Sequence, residues 1–191
     1  MKDVKQVEID KITISKRFKL LRLTLYLSLM TALSSCAAYP RLVNNPVDPG
    51  GRGLNSLAAD LSPSISGRYI VFVSEREQRQ DIYLYDRESQ RTIALPGLNS
   101  LDTIAESPGV SADGRYIVFA GNRRGRSGIF IYDRETRQLR DLTENLDATV
   151  RNPSISANGS TVAFEANLNG QWDILVYNRN GQPFDLPTPV R

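Results

Sequence analysis

Two kinds of apolar run alternate along the C-terminal two-thirds of this chain. The first kind is Tyr69-Ile70-Val71-Phe72, Tyr116-Ile117-Val118-Phe119 and Thr161-Val162-Ala163-Phe164. The second is Ile82-Tyr83-Leu84-Tyr85, Ile129-Phe130-Ile131-Tyr132 and Ile174-Leu175-Val176-Tyr177. Each run is of strand length, and the second kind is apolar at four consecutive positions rather than alternating, a pattern that predicts a strand buried on both faces. Ahead of each first run stands a proline, Pro63, Pro108 and Pro153, at intervals of 45 residues. A weaker block closes each copy: Thr92-Ile93-Ala94-Leu95, Leu139-Arg140-Asp141-Leu142 and Pro183-Phe184-Asp185-Leu186.

Self-similarity at this period signals a repeat architecture. Each copy predicts four strands, here A to D. Asp113-Gly114 and Asn158-Gly159 supply positive φ for a tight turn between strand A (Gly109 to Ser111 in the middle copy) and strand B (Tyr116 to Phe119). The first copy has lost two residues of this turn. A polar loop then leads to strand C, and a second turn, Glu135-Thr136 or Asn180-Gly181, leads to strand D. Four-stranded sheets that need a neighbour on each face make propeller blades. The fold class expected is therefore all-β, with three four-stranded blades.

The blocks resemble the repeats of TolB-like β-propellers, which carry Pro-x-hydrophobic-Ser-x-Asp-Gly-x-x-Ile-x-Phe, then Asp-Ile-Tyr-hydrophobic-x-Asp, then Leu-Thr. The middle copy holds nearly all of this and ends Asp141-Leu142-Thr143; the third has Asn158 for the Asp and Pro187 for the Thr. The resemblance covers about residues 54 to 187. It implies half of a six-bladed ring and a protein-interaction role in the bacterial envelope, as in the Tol–Pal system. Three blades cannot close a ring, and an open arc leaves an apolar sheet face bare at each end. Two chains pairing last blade to first would complete six, a possible homodimer; a poorly soluble gene fragment or an open arc capped by the tether that precedes it are the other outcomes.

Upstream, Lys16-Arg17-Phe18-Lys19-Leu20-Leu21-Arg22 precedes an apolar run from Leu23 to Leu33. That run falls short of the roughly 20 residues a spanning helix needs and matches a signal peptide's hydrophobic region. Leu33-Ser34-Ser35-Cys36 resembles a bacterial lipobox, which implies cleavage before Cys36 and lipidation of its thiol; the alternative is an uncleaved signal anchor from Leu20 to Ala38 with Cys36 inert. The expected organisation is a lipoprotein signal peptide over residues 1–35, lipidated Cys36 with a Pro/Gly-rich tether over 36–53, and propeller repeats over 54–191. The expected location is the envelope, anchored to a membrane through lipid on the periplasmic face.

Charge then reads differently from its total. The chain carries 24 Lys+Arg against 21 Asp+Glu, yet seven of the bases and three of the acids precede residue 36, which leaves −1 for the remainder. The basicity belongs to the targeting segment, and no nucleic-acid partner is expected. There is one cysteine and no histidine, which excludes an intrachain disulfide, a Ser-His-Asp triad and His-ligated zinc. No catalytic residue, metal site or cofactor is expected.

Candidate binding residues lie in the loops between strands B and C, at Glu75 to Gln80, Gly121 to Ser127 and Asn167 to Trp172. Arg123, Arg124 and Arg126 form a cationic patch suited to a carboxylate or phosphate, or else pair with nearby acids such as those in the Asp102 and Asp147 region. Trp172, the one tryptophan, either stacks on a ligand or packs between blades. Together these suit a protein partner or, alternatively, a carbohydrate such as peptidoglycan. The recurring Asp81, Asp86, Asp133 and Asp173 at strand ends are expected to serve turns.

Overall fold

In the computed structural model, residues 51–184 are described; the signal peptide, Cys36, the first part of the tether and Asp185-Leu186 lie outside them. The described chain is all strand and turn. β1 (Asp60–Ser66), β2 (Tyr69–Ser74), β3 (Asp81–Asp86) and β4 (Arg91–Ile93) form one antiparallel sheet in that order. β5 (Thr103–Val110), β6 (Tyr116–Arg123), β7 (Arg126–Asp133) and β8 (Gln138–Asp141) form a second. β9 (Thr149–Ile155), β10 (Thr161–Leu168) and β11 (Gln171–Asn178) form a third, and the bridge between Tyr177 and Pro183 begins its fourth strand. The expected blades are present in the expected order.

The repeated proline leaves a mark in each blade. Proline has no N–H to give the ladder, and the register of β1, β5 and β9 shifts beside it. The preceding residue takes a positive φ each time: Ser62 at 49°, Ser107 at 47° and Asn152 at 50°. Each blade therefore begins with a bulged strand, a bend that the sequence encodes in one dipeptide.

Two cores hold the blades side by side. Val71, Ile82 and Leu84 of the first sheet meet Ile117, Phe119, Phe130 and Tyr132 of the second. Val118, Ile129 and Ile131, on the second sheet's other face, meet Val162 and Phe164 of the third. The hairpins interlock too. A Cβ on Gly114 would lie 2.5 Å from the Tyr69 ring, and one on Gly159 would lie 2.4 Å from that of Tyr116. Each turn glycine lets the next blade's hairpin sit flat on the previous blade's tyrosine.

For the second runs, burial on both faces is met only in the middle blade. Ile129 is 0% exposed and Ile131 2%, whereas Ile174, at the same repeat position as Ile129, is 61% exposed. The expectation for strand C thus holds for the blade that has two neighbours. On the first blade, Phe72 is buried although no blade lies against it among the described residues. The Arg76 guanidinium sits over its ring at 5.2 Å and over that of Tyr83 at 5.0 Å.

Candidate functional site

The hairpin between the second and third strands of each blade carries the candidate binding residues. Long loops were expected there, and two of the three are strand almost to their tips. Arg123 pairs directly with Arg126 across β6 and β7, and Leu168 with Gln171 across β10 and β11. Arg124-Gly125 and Asn169-Gly170 make the turns, with positive φ at all four residues. That is the turn whose twist suits a two-residue hairpin. Only the first blade has a longer connection there, between Ser74 and Asp81.

The three arginines of the middle hairpin have separate surroundings. The Arg123 Nε donates to Asp102 Oδ2 at 2.9 Å, and the Arg124 Nε lies 3.8 Å from the same oxygen. Arg126 donates to the carbonyls of Thr143, Glu144 and Leu146, binding the hairpin to the segment that enters the third blade. Arg124 projects furthest, with its side chain 83% exposed. All three line a cleft of about 540 Å³ with Phe130, Leu139, Asp141 and Glu144, so acidic groups share it. All three arginines are exposed, so the cleft presents mixed charge to solvent.

Trp172 does not line that cleft. It lies on the free face of the third blade, 39% exposed, with the Arg151 guanidinium 3.9 Å from its ring centre. The Arg151 Nε donates to Glu165 Oε2 at 2.6 Å, and Asn152 Nδ2 donates to Oε1 at 3.1 Å. Beside this group the face is apolar, with Ile174 and Phe184 exposed. The recurring aspartates serve local structure: Asp86 Oδ1 accepts from the Glu88 N–H at 3.0 Å, and Asp133 Oδ1 from the Glu135 N–H at 2.9 Å.

One polar centre has no counterpart among the sequence candidates. Arg76, its side chain 7% exposed, donates Nη1 to the carbonyls of Gly51 (2.8 Å) and Gly53 (2.9 Å) and Nη2 to that of Leu54 (2.7 Å). Its Nη2 also reaches Asp60 Oδ1 at 3.1 Å. Residues 51–54 are thereby drawn across the outer face of the first blade, and the Arg52 carbonyl accepts from Thr92 N–H at 3.0 Å.

The charge pairs set the pH response. The hydrogen bond from Arg123, then that from Ser100, holds the Asp102 carboxyl down to about 2. Arg115 similarly lowers Asp133, and Arg151 followed by Asn152 lowers Glu165. A carboxyl whose folded value lies below its unfolded one stabilises the fold above the unfolded value and ceases to as pH falls through the folded one. Burial raises the Tyr132 hydroxyl, which donates to the Pro96 carbonyl at 2.7 Å; its contribution is lost as pH rises through the raised value. With no histidine to titrate between, Tm should be level from about pH 5 to 9 and fall below about 4 and above about 10. A thermal scan across pH checks this; a step near pH 6.5 would contradict it.

No protein-family model matches this chain, and no curated protein does. Solved structures do. It is similar to TolB from Acinetobacter baumannii at 26% identity over 68% of this chain and 32% of that one, with a TM-score of 0.51. A putative TolB from Agrobacterium tumefaciens matches at 20% identity over 65% of this chain and 47% of that one, with a TM-score of 0.52. The β-propeller domain of the Trilobed protease from Pyrococcus furiosus matches at 15% identity over 67% and 42%, with a TM-score of 0.50. The chain thus spans 32% to 47% of the length of these proteins, and its fold is that of TolB-like propeller blades.

Proposed function

We propose that this chain is a non-catalytic protein-interaction module of the bacterial cell envelope, held to a membrane by lipid on Cys36. The observation that carries the reading is the likeness to TolB across all three blades. The use of the polar groups supports it: Asp86 and Asp133 are spent on turns, Asp81 and Asp173 accept from the Arg79 and Gln171 side chains, and Arg126 donates to backbone carbonyls. Acyl chains on Cys36 would bury methylenes at about 0.8 kcal/mol each, with durable anchoring from more than one chain. The tether would confine the blades near other anchored proteins and raise their effective concentration there. In this reading the working unit is two chains, whose described blades together number six, within the roughly four to eight of closed propellers.

The test is metabolic labelling with an alkyne fatty acid in a bacterial host, followed by pull-down from detergent-solubilised membranes. The full chain should take the label, Cys36→Ser should take none, and an envelope protein should co-purify with wild type and with Arg124→Ala alike. Equal labelling of Cys36→Ser would overturn the anchor. Retention on isolated peptidoglycan that Arg124→Ala abolishes, with no protein co-purified, would overturn the protein-partner reading.

A further inference from the structure

The segments that lead into the first and second blades share a pentapeptide. Gly53-Leu54-Asn55-Ser56-Leu57 recurs as Gly97-Leu98-Asn99-Ser100-Leu101. The second copy joins β4 to β5 and fastens one blade to the next. Leu98 is buried in the core between them. The Asn99 carboxamide clamps Ile82 of the preceding blade: Oδ1 accepts from its N–H at 2.9 Å, and Nδ2 donates to its C=O at 3.0 Å.

The same position in the middle blade is served differently. The Ile129 N–H donates to Thr143 Oγ1 at 2.9 Å, and its C=O accepts from the Leu142 N–H at 2.7 Å. The first blade has Leu95-Pro96 where the middle one has Leu142-Thr143. Proline offers no hydroxyl, so the asparagine of the next segment takes over the task. The third copy reads Leu186-Pro187, and by sequence it belongs with the first.

Each end of the arc therefore holds half of this joint. At the first blade, Leu54 and Asn55 are half-buried, and the Leu54 carbonyl is fixed by Arg76, yet the Asn55 carboxamide has no hydrogen-bond partner among the described residues. At the third blade, Ile174 stands where Ile82 and Ile129 stand, 61% exposed. Its backbone groups face the outer edge of β11, because those of Val176, two residues on, do: the Val176 C=O accepts from the Phe184 N–H at 2.8 Å.

We infer that the pentapeptide at Gly53 to Leu57 is a latch for a second copy of this chain, with Asn55 of one copy clamping the Ile174 backbone of the other. Leu54 then packs against Ile174 and Val176 as Leu98 packs in the first joint. Covering this face does not strand the Glu165 carboxylate, which keeps Arg151 and Asn152 as partners. The contact runs head to tail, so it either closes or propagates. Two copies of the three described blades make six, within the roughly four to eight blades of known propellers. The inference deepens the two-chain unit proposed above and rests on it.

The experiment uses the full chain in detergent, with Cys36→Ser so that only introduced thiols react. One population carries Asn55→Cys and another Ile174→Cys; they are mixed and mildly oxidised. A disulfide-linked band at twice the 21.3 kDa chain mass is expected in the mixture, with each population alone remaining single. Sedimentation of the unoxidised wild type should show a dimer. Ile174→Arg, a change at an exposed position, should weaken association about tenfold or more while leaving the circular-dichroism spectrum unaltered. A dimer whose Ile174→Cys copies link to each other would overturn the latch and keep the two-chain unit. A monomer at every concentration would overturn both.

Discussion

Ile129→Ala is expected to remove about 2–5 kcal/mol of stability, and Ile82→Ala a similar amount, because each leaves a cavity between two blades. Ile174→Ala, at the same place in the repeat, is expected to change the stability of the single chain by less than about 0.5 kcal/mol. The residue type and strand are shared; the neighbour is not. Ile129 is 0% exposed and Ile82 1%, because a second sheet closes over each. Domains hold only about 5–15 kcal/mol in reserve, so the first two losses put the fold near its limit. Urea unfolding of the three variants, at a concentration low enough to keep the chain single, measures the contrast. A loss at Ile174 equal to that at Ile129 would mean that this chain covers the third blade's face itself.

That contrast also marks what the sequence could and could not disclose. The period, the blade order and the double-sided burial of the middle copy's second run were legible because apolar side chains repeat in register and glycine and proline punctuate them. The short hairpins were not. Beyond Phe119 and Phe164 the strands continue through polar residues such as Asn122, Arg123 and Asn167, which leave the core and carry no apolar signal. Asn169-Gly170 was a hairpin turn in plain view, obscured because Asn167 and Gln171 interrupt the apolar signal on either side of it. Arg76 was hidden for another reason: most of its partners are carbonyl oxygens, which no residue letter reveals. The separate tasks of Arg123, Arg124 and Arg126 have the same origin, since Asp102 and three carbonyls distinguish them. The role of Asn99 had a visible sign, the repeated pentapeptide, but it lies in a connection between blades. Strand patterns say nothing about such segments.

Arg76→Ala should be the most damaging polar substitution in the domain, costing about 3–5 kcal/mol. The side chain is buried, its guanidinium binds three carbonyls and the Asp60 carboxylate, and its plane covers Phe72 and Tyr83. Removing it leaves Asp60 with the Ser56 N–H and hydroxyl as its hydrogen-bond donors and exposes two rings to water. Arg76→Lys should recover little, since one ammonium cannot reproduce a planar fork spread over four oxygens. Arg124→Ala, removing an exposed guanidinium, should stay within about 0.5 kcal/mol. The damage should also be local in a way that hydrogen exchange can see: the Thr92 N–H, which donates to the Arg52 carbonyl, should lose protection in Arg76→Ala ahead of amides in β6 and β7. The same loss frees Leu54 and Asn55 from the first blade, so the variant should associate more weakly although Asn55 itself is intact. An Arg76→Ala chain that melts within about 2 °C of wild type, with Thr92 still protected, would show that residues 51–54 hold their place without the guanidinium.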